Sequence, residues 1–285
     1  MAKSALLKSS LAKKYWMALT GLFLCLFLIG HLLGNLQLLS TGKDAALNFN
    51  KYALFMTTNP AVKLLSYLTY FSILFHAVDG IVLTVQNKKA RPVGYVKNSA
   101  SSNTIWASRN MAVLGTLILV FIVTHMTNFW AVMHFDKKMP LQTVTIESEV
   151  MPGMPPQTQE MYVTVEGSYI PVAAVEQGMI SIQNRTEVYR TDNNLKIAHL
   201  YKDLYKITVE FFKDAKWGLI ATILYVFSML VLAFHLYHGF GSAFQSLGLN
   251  NPKYNLLIKN FGKAFAIIVP LLFAVIPVYI HFFLK

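Results

Sequence analysis

Five stretches of the chain, roughly 15–39, 61–86, 108–133, 217–240 and 262–284, are apolar over bilayer-crossing lengths. A transmembrane helix needs ~20 mostly apolar residues, and each stretch supplies them. Asp79 is the clear exception to their near freedom from charge. Composition agrees, with 55% hydrophobic and only 13% charged residues, against about 25% charged in an average soluble domain. The first stretch follows Lys3, Lys8, Lys13 and Lys14 but is too long for the apolar core of a secretory signal. It is read as a retained helix. The expected fold is an all-α integral membrane protein with five transmembrane helices, one membrane domain over 1–285.

Charge placement gives the expected orientation. The segments 1–14, 87–110 and 249–263 carry Lys3, Lys8, Lys13, Lys14, Lys88, Lys89, Arg91, Lys97, Arg109, Lys253, Lys259 and Lys263, and no Asp or Glu. Short loops rich in Lys and Arg stay in the cytoplasm. The N-terminus is therefore expected inside and, after five crossings of the cytoplasmic (inner) membrane, the C-terminus outside. The net charge of +12 is thereby accounted for by topology, with no nucleic-acid partner. The basic face also suits anionic lipid or an acidic protein surface.

The connection 134–216 is expected as an outer insertion. Its segments 143–147 and 161–165 alternate like strands, separated by Pro152, Gly153, Pro155 and Pro156. Leu200, Leu204, Ile207 and Phe211 recur at helical spacing, which predicts an amphipathic helix near 199–215 on the membrane surface. The sequon Asn184-Arg185-Thr186 stands alone and carries little weight.

Ionisable groups inside a bilayer are costly and ask for a reason. His31, His76, His125 and His235 occupy the first four stretches, one in each. His31 lies 17 residues beyond Lys14 and His125 16 beyond Arg109, so both are ~24–26 Å from the cytoplasmic helix ends. His76 and His235 lie 10 and 13 residues before Gln86 and Gly248, ~15–20 Å from the same side. Two histidines thus share an outer level and two an inner one. Imidazole pairs at matched depth suit the axial positions of two b-type haems. Small residues nearby, Gly30, Gly34, Gly80, Gly239 and Gly241, would admit a flat group. Cys25 is the only cysteine, so a disulfide within the chain, covalent haem attachment and iron–sulfur ligation are excluded. Two fixed imidazoles per iron favour electron transfer over oxygen chemistry.

The segments GHLLGN (30–35), LFHAVDGI (74–81), FIVTHM (121–126) and FHLYHGFGSAFQSLG (234–248) resemble the cytochrome b subunit of succinate:quinone oxidoreductases. The likeness is to the five-helix, two-haem membrane anchor of the succinate dehydrogenase and fumarate reductase family. It covers the five spans and leaves out 139–195. It implies His31 with His125 on the distal haem and His76 with His235 on the proximal haem. It further implies an iron–sulfur subunit and a flavoprotein on the cytoplasmic face, and a membrane quinone as electron partner, menaquinone being the expected one. The first four helices would enclose the haems, with the fifth, kinked at Pro270 or Pro277, outside them.

Other polar groups are weaker candidates. His238, three residues after His235, is read as interfacial, with a propionate contact or partner docking as the alternative. Asp79 is either a hydrogen-bonding or proton-carrying group near His76 or a snorkelling acid. Some five-helix relatives that couple turnover to protons carry a glutamate where this chain has Ala233, so that route is in doubt. Lys13, Lys14, Ser108 and Arg109 could meet propionates. His134, His199 and His281 are read as incidental, and Trp16, Trp106, Trp130 and Trp217 as interfacial anchors. Two rival readings stay open: a cytochrome b subunit of a hydrogenase, formate dehydrogenase or nitrate reductase, and a haem-free transporter whose histidines relay protons.

Overall fold

A computed structural model describes residues 9–284 apart from 91, 94–98, 100, 101, 103 and 149–156. Lys3, Lys8, Arg91, Lys97, Pro152, Gly153, Pro155 and Pro156 lie outside the described residues. The chain forms two compact units, Met1–Leu39 with Pro60–Thr124 and Phe212–Lys285, and Ser40–Asn59 with His125–Phe211.

The first unit is built from α1 (Ser10–Asn35), α3 (Pro60–Lys89), most of α4 (Met111–His125), α6 (Gly218–Ser246) and α7 (Pro252–Phe282). Among the described residues, five helices are long and apolar enough to cross a membrane: Leu11–Leu39, Pro60–Lys89, Met111–Phe135, Gly218–Ser246 and Pro252–Phe282. The chain is an all-α, multi-pass membrane protein. Thirty residues of helix run ~45 Å, beyond the ~30 Å hydrocarbon core, so charged ends such as Lys88 and Lys89 extend past the apolar run.

Local signals set the helix ends. The Ser9 hydroxyl accepts from the Ala12 amide and caps α1. Asn251 accepts from the Lys253 amide at 2.9 Å, with Pro252 in the first turn of α7. After α6 the chain turns through Gly248 at φ +78°, while the Leu249 amide returns to the Phe244 carbonyl at 3.0 Å. That left-handed position is strained for any residue with a Cβ.

Packing within this unit is uneven. Phe240 of α6 meets Phe265, Ala266 and Val269 of α7, and Cys25, Leu32 and Leu236 complete the cluster. Gly262 allows this approach, because a Cβ there would lie 2.7 Å from the Phe240 ring. The membrane window of α7 is 39% buried, against 11% for α3 and 6% for the span that begins with α4. The fifth helix therefore flanks α1 and α6 and carries the densest packing in the unit. It continues unbroken through Pro270 and Pro277, both buried. Helix α1 packs against α3, α6 and α7, whereas α3 and α6 have no comparable backbone approach to each other.

The second unit holds α2 (Ala45–Thr58), two three-stranded antiparallel sheets and α5 (Leu204–Lys213), whose last two residues belong to the first unit. One sheet is β1 (Thr143–Ser148), β2 (Gln157–Val163) and β3 (Tyr169–Pro171). The other is β4 (Ile180–Gln183), β5 (Glu187–Arg190) and β6 (Lys196–His199). Val188, Ala198, Leu200 and Ile180 form its core. The strand expected at 161–165 thus begins earlier and ends at Val163. Leu200 lies outside the amphipathic helix and bridges Thr164. Leu204 and Ile207 of α5 pack on Ala53, Met133 and Met139, so the apolar face of that helix has a protein partner.

A buried amide ties these pieces together. Asn50 donates to Gln142 Oε1 and to Asp203 Oδ1 (2.8 Å), and its own oxygen accepts from the Tyr205 amide at 3.0 Å. Lys202 donates to the Met133 carbonyl (2.6 Å) and Arg185 to the His134 carbonyl (2.7 Å). Both cations thereby meet the negative end of the short helix Val132–Phe135. Burial, reinforced by the nearby Arg185 charge, pushes the Lys202 pKa down.

Two predictions arise here. Asn50→Ala leaves a buried carboxylate short of a donor, which costs about 1.5–3 kcal/mol. Hydrogen exchange at the Tyr205 amide should accelerate accordingly, and unchanged protection would refute the role. In the β4–β5 hairpin, hydrogen bonds from Lys196 and then Asn184 hold the Glu187 pKa at about 2, below the ordinary 4.5. A depressed carboxylate stabilises above its unfolded pKa, and that stability disappears as pH falls through the folded value. Glu187→Gln should therefore flatten the acid limb of the unfolding curve between pH 4.5 and 2, read by circular dichroism.

Candidate functional site

Helices α3 and α6 bring His76 and His235 together. Their ring centroids are 6.2 Å apart, with the planes inclined by 69°. Among the described residues no hydrogen bond joins the two rings, and Nδ1 of His235 is buried without a partner. His238, one turn on, pairs through Nε2 with Ser242 Oγ at 3.2 Å. Of the two histidines on α6, His235 is the one left with an unanswered ring nitrogen.

Helix α1 supplies the wall behind His76. Thr20 Oγ1 lies 3.3 Å from His76 Nδ1. A Cβ on Gly21 would stand 3.1 Å from His76 Cε1. On the opposite ring, a Cβ on Gly115 of α4 would lie 3.8 Å from His235 Cε1, an ordinary contact. The glycines singled out from the sequence are differently placed. Gly30 and Gly241 have open space before them, Gly80 faces Met17 and Gly239 faces Met111. Thr20, Gly21 and Gly115 were missed. A signal for Thr20 exists: it precedes His31 by eleven residues, close to three turns of 3.6, and so shares its helix face.

The other two membrane histidines belong to different units. His31 stacks on Phe27 at 5.2 Å and tilts against Phe273 at 5.7 Å. Asn35 donates to its carbonyl at 2.8 Å and approaches its Nδ1 at 3.4 Å. His125 begins the second unit's share of the third span. It meets Phe129 at 5.4 Å, and a π-helical turn, Met126–Ala131, follows it directly. Such turns arise mostly as single-turn bulges inside α-helices and are frequent at functional positions.

The remaining candidates are more ordinary. Asp79 is half-buried one turn beyond His76 and makes no hydrogen bond or ion pair among the described residues. Arg109 donates to the Thr104 carbonyl. His134 is held by the Trp130 carbonyl (2.7 Å), His199 by Thr186 (3.0 Å) and His281 by the Phe212 carbonyl (2.6 Å).

Two imidazoles do not make a site for a bare ion. Among the described residues, no group of three or more His, Cys, Asp or Glu could hold one. The pair fits instead a metal whose other ligands come from a macrocycle. Imidazole nitrogens bind metals at about 2 Å, so rings on opposite sides of one ion have centroids roughly 6 Å apart. The observed separation of 6.2 Å meets that requirement. Comparison with protein-family models, with curated proteins and with solved structures finds no match to any.

The two glycine contacts predict a contrast. Gly21→Ala must displace the His76 ring and should lower thermal stability, by about 1–3 kcal/mol if the ring cannot give way. Gly115→Ala meets only ordinary contact and should be neutral or gain up to about 1 kcal/mol from helix propensity. Equal effects in thermal melts of the purified protein would reject this picture of the wall.

Proposed function

We propose that the chain is the di-haem b membrane anchor of a succinate:quinone oxidoreductase. It would pass electrons between an iron–sulfur subunit at the cytoplasmic face and quinone in the membrane. The observation that carries this reading is the pairing of His76 and His235 from α3 and α6, 6.2 Å apart.

The residues divide the work as follows. His76 and His235 would hold the proximal haem, and His31 and His125 the distal one. Haem held by two imidazoles would supply one-electron chemistry and would favour electron transfer over oxygen binding. Thr20 and Gly21 orient His76 from α1. The apolar helices exclude water and hold the ligand rings in a low dielectric. The basic N-terminal segment and the connections 87–110 and 249–263 would carry the docking surface, placed inside by their charge. The segments around the four histidines support the family assignment, since each resembles the corresponding stretch of such anchors.

Purified protein should show reduced b-type α bands and about two haems per chain. His76→Ala and His235→Ala should each lose the same haem, and His31→Ala and His125→Ala the other. A colourless reconstituted protein would reject haem binding altogether. A coloured complex that fails to couple succinate or fumarate to quinone would move the chain to another oxidoreductase.

A further inference from the structure

We propose that Thr20 is a positioning residue that fixes which nitrogen of His76 is protonated and thereby makes the two imidazoles of the α3–α6 pair unequal. This rests on the reading of His76 as a haem ligand.

A hydroxyl has one proton to donate. Thr20 Oγ1 lies 2.7 Å from the Trp16 carbonyl and 3.2 Å from the Met17 carbonyl, and both can only accept. The shorter bond claims the proton. Toward His76 Nδ1, at 3.3 Å, the hydroxyl then presents a lone pair. Two lone pairs would repel in apolar surroundings, so Nδ1 carries the N–H and donates it. Nε2 is left bare, ready to serve as an iron ligand.

Nothing equivalent stands behind His235, whose buried Nδ1 has no partner among the described residues. An acceptor on the distal N–H raises the basicity of a ligating imidazole. His76 is therefore the stronger electron donor of the two, and Thr20 holds down the reduction potential of the haem that it serves. Gly21 completes the device, because a Cβ there would stand 3.1 Å from His76 Cε1 and push the ring from its place beside Thr20.

The test is a redox titration of the intact complex with wild-type chain, Thr20→Val and Thr20→Ser. Valine keeps the shape of threonine and removes the acceptor. The potential of one haem should rise by an amount on the order of a tenfold change in its redox equilibrium, 59 mV for one electron. The other haem should not move, and serine should restore the wild-type value. Thr20→Val removes no ligand, so haem content should persist. If Thr20→Val instead loses that one haem and Thr20→Ser retains it, the acceptor role stands in stronger form. Identical potentials in wild type and Thr20→Val at full haem content overturn the proposal while leaving the ligand assignment intact. A wild-type complex without haem removes the ligand reading itself.

Discussion

The His76 ring lies close against the backbone of α1 at Gly21, and α1 is the helix that packs against both α3 and α6. A Cβ on that residue would stand 3.1 Å from His76 Cε1, so the imidazole would have to shift. With the ring backed by α1, its other edge is free to meet His235 across from α6. Helices α3 and α6 can then stay apart at backbone level, because α1 packs against both. Dense packing is displaced to α6 and α7, where Phe240 lies over Gly262. The result is a unit with one firm seam and one loose side.

Polar atoms in hydrocarbon have no water to fall back on, so each needs an internal partner. His238 has Ser242, His281 has the Phe212 carbonyl and His76 has Thr20. Among the fully buried side-chain nitrogens and oxygens of the described residues, Nδ1 of His235 has no such partner. An unmade hydrogen bond of this kind costs about 1–3 kcal/mol.

The membrane helices were legible because their signal is additive: twenty apolar residues speak together, and no single contact can reverse them. The approach of His76 to His235 was legible for a related reason, since position along a helix accumulates at a fixed rise per residue. What stayed hidden depends on individual contacts. Helix α2 reads as a polar connection because its buried face includes Asn50 beside Ala45, Phe49 and Ala53, and hydropathy discounts an amide even when it is the hub of a core. Strands β3 to β6 have three or four residues each, too few for alternation to show. Leu200 kept helical spacing with Leu204 by coincidence, while its backbone pairs with Thr164. Thr20 was overlooked because a threonine in an apolar helix ordinarily bonds its own preceding turn, which it does here as well as facing His76.

The reach of Asn50 also has a consequence in time. Its partners Gln142 and Asp203 lie 92 and 153 residues further along the chain. At ~5–20 residues per second, ribosomes need roughly 8–30 s to deliver the second of them. Until then two more apolar spans have to be threaded into the bilayer while α2 waits with its amide unanswered. Biogenesis of this protein thus contains an enforced pause, in which an early helix is handed over incomplete and its fold is closed only by a segment made much later.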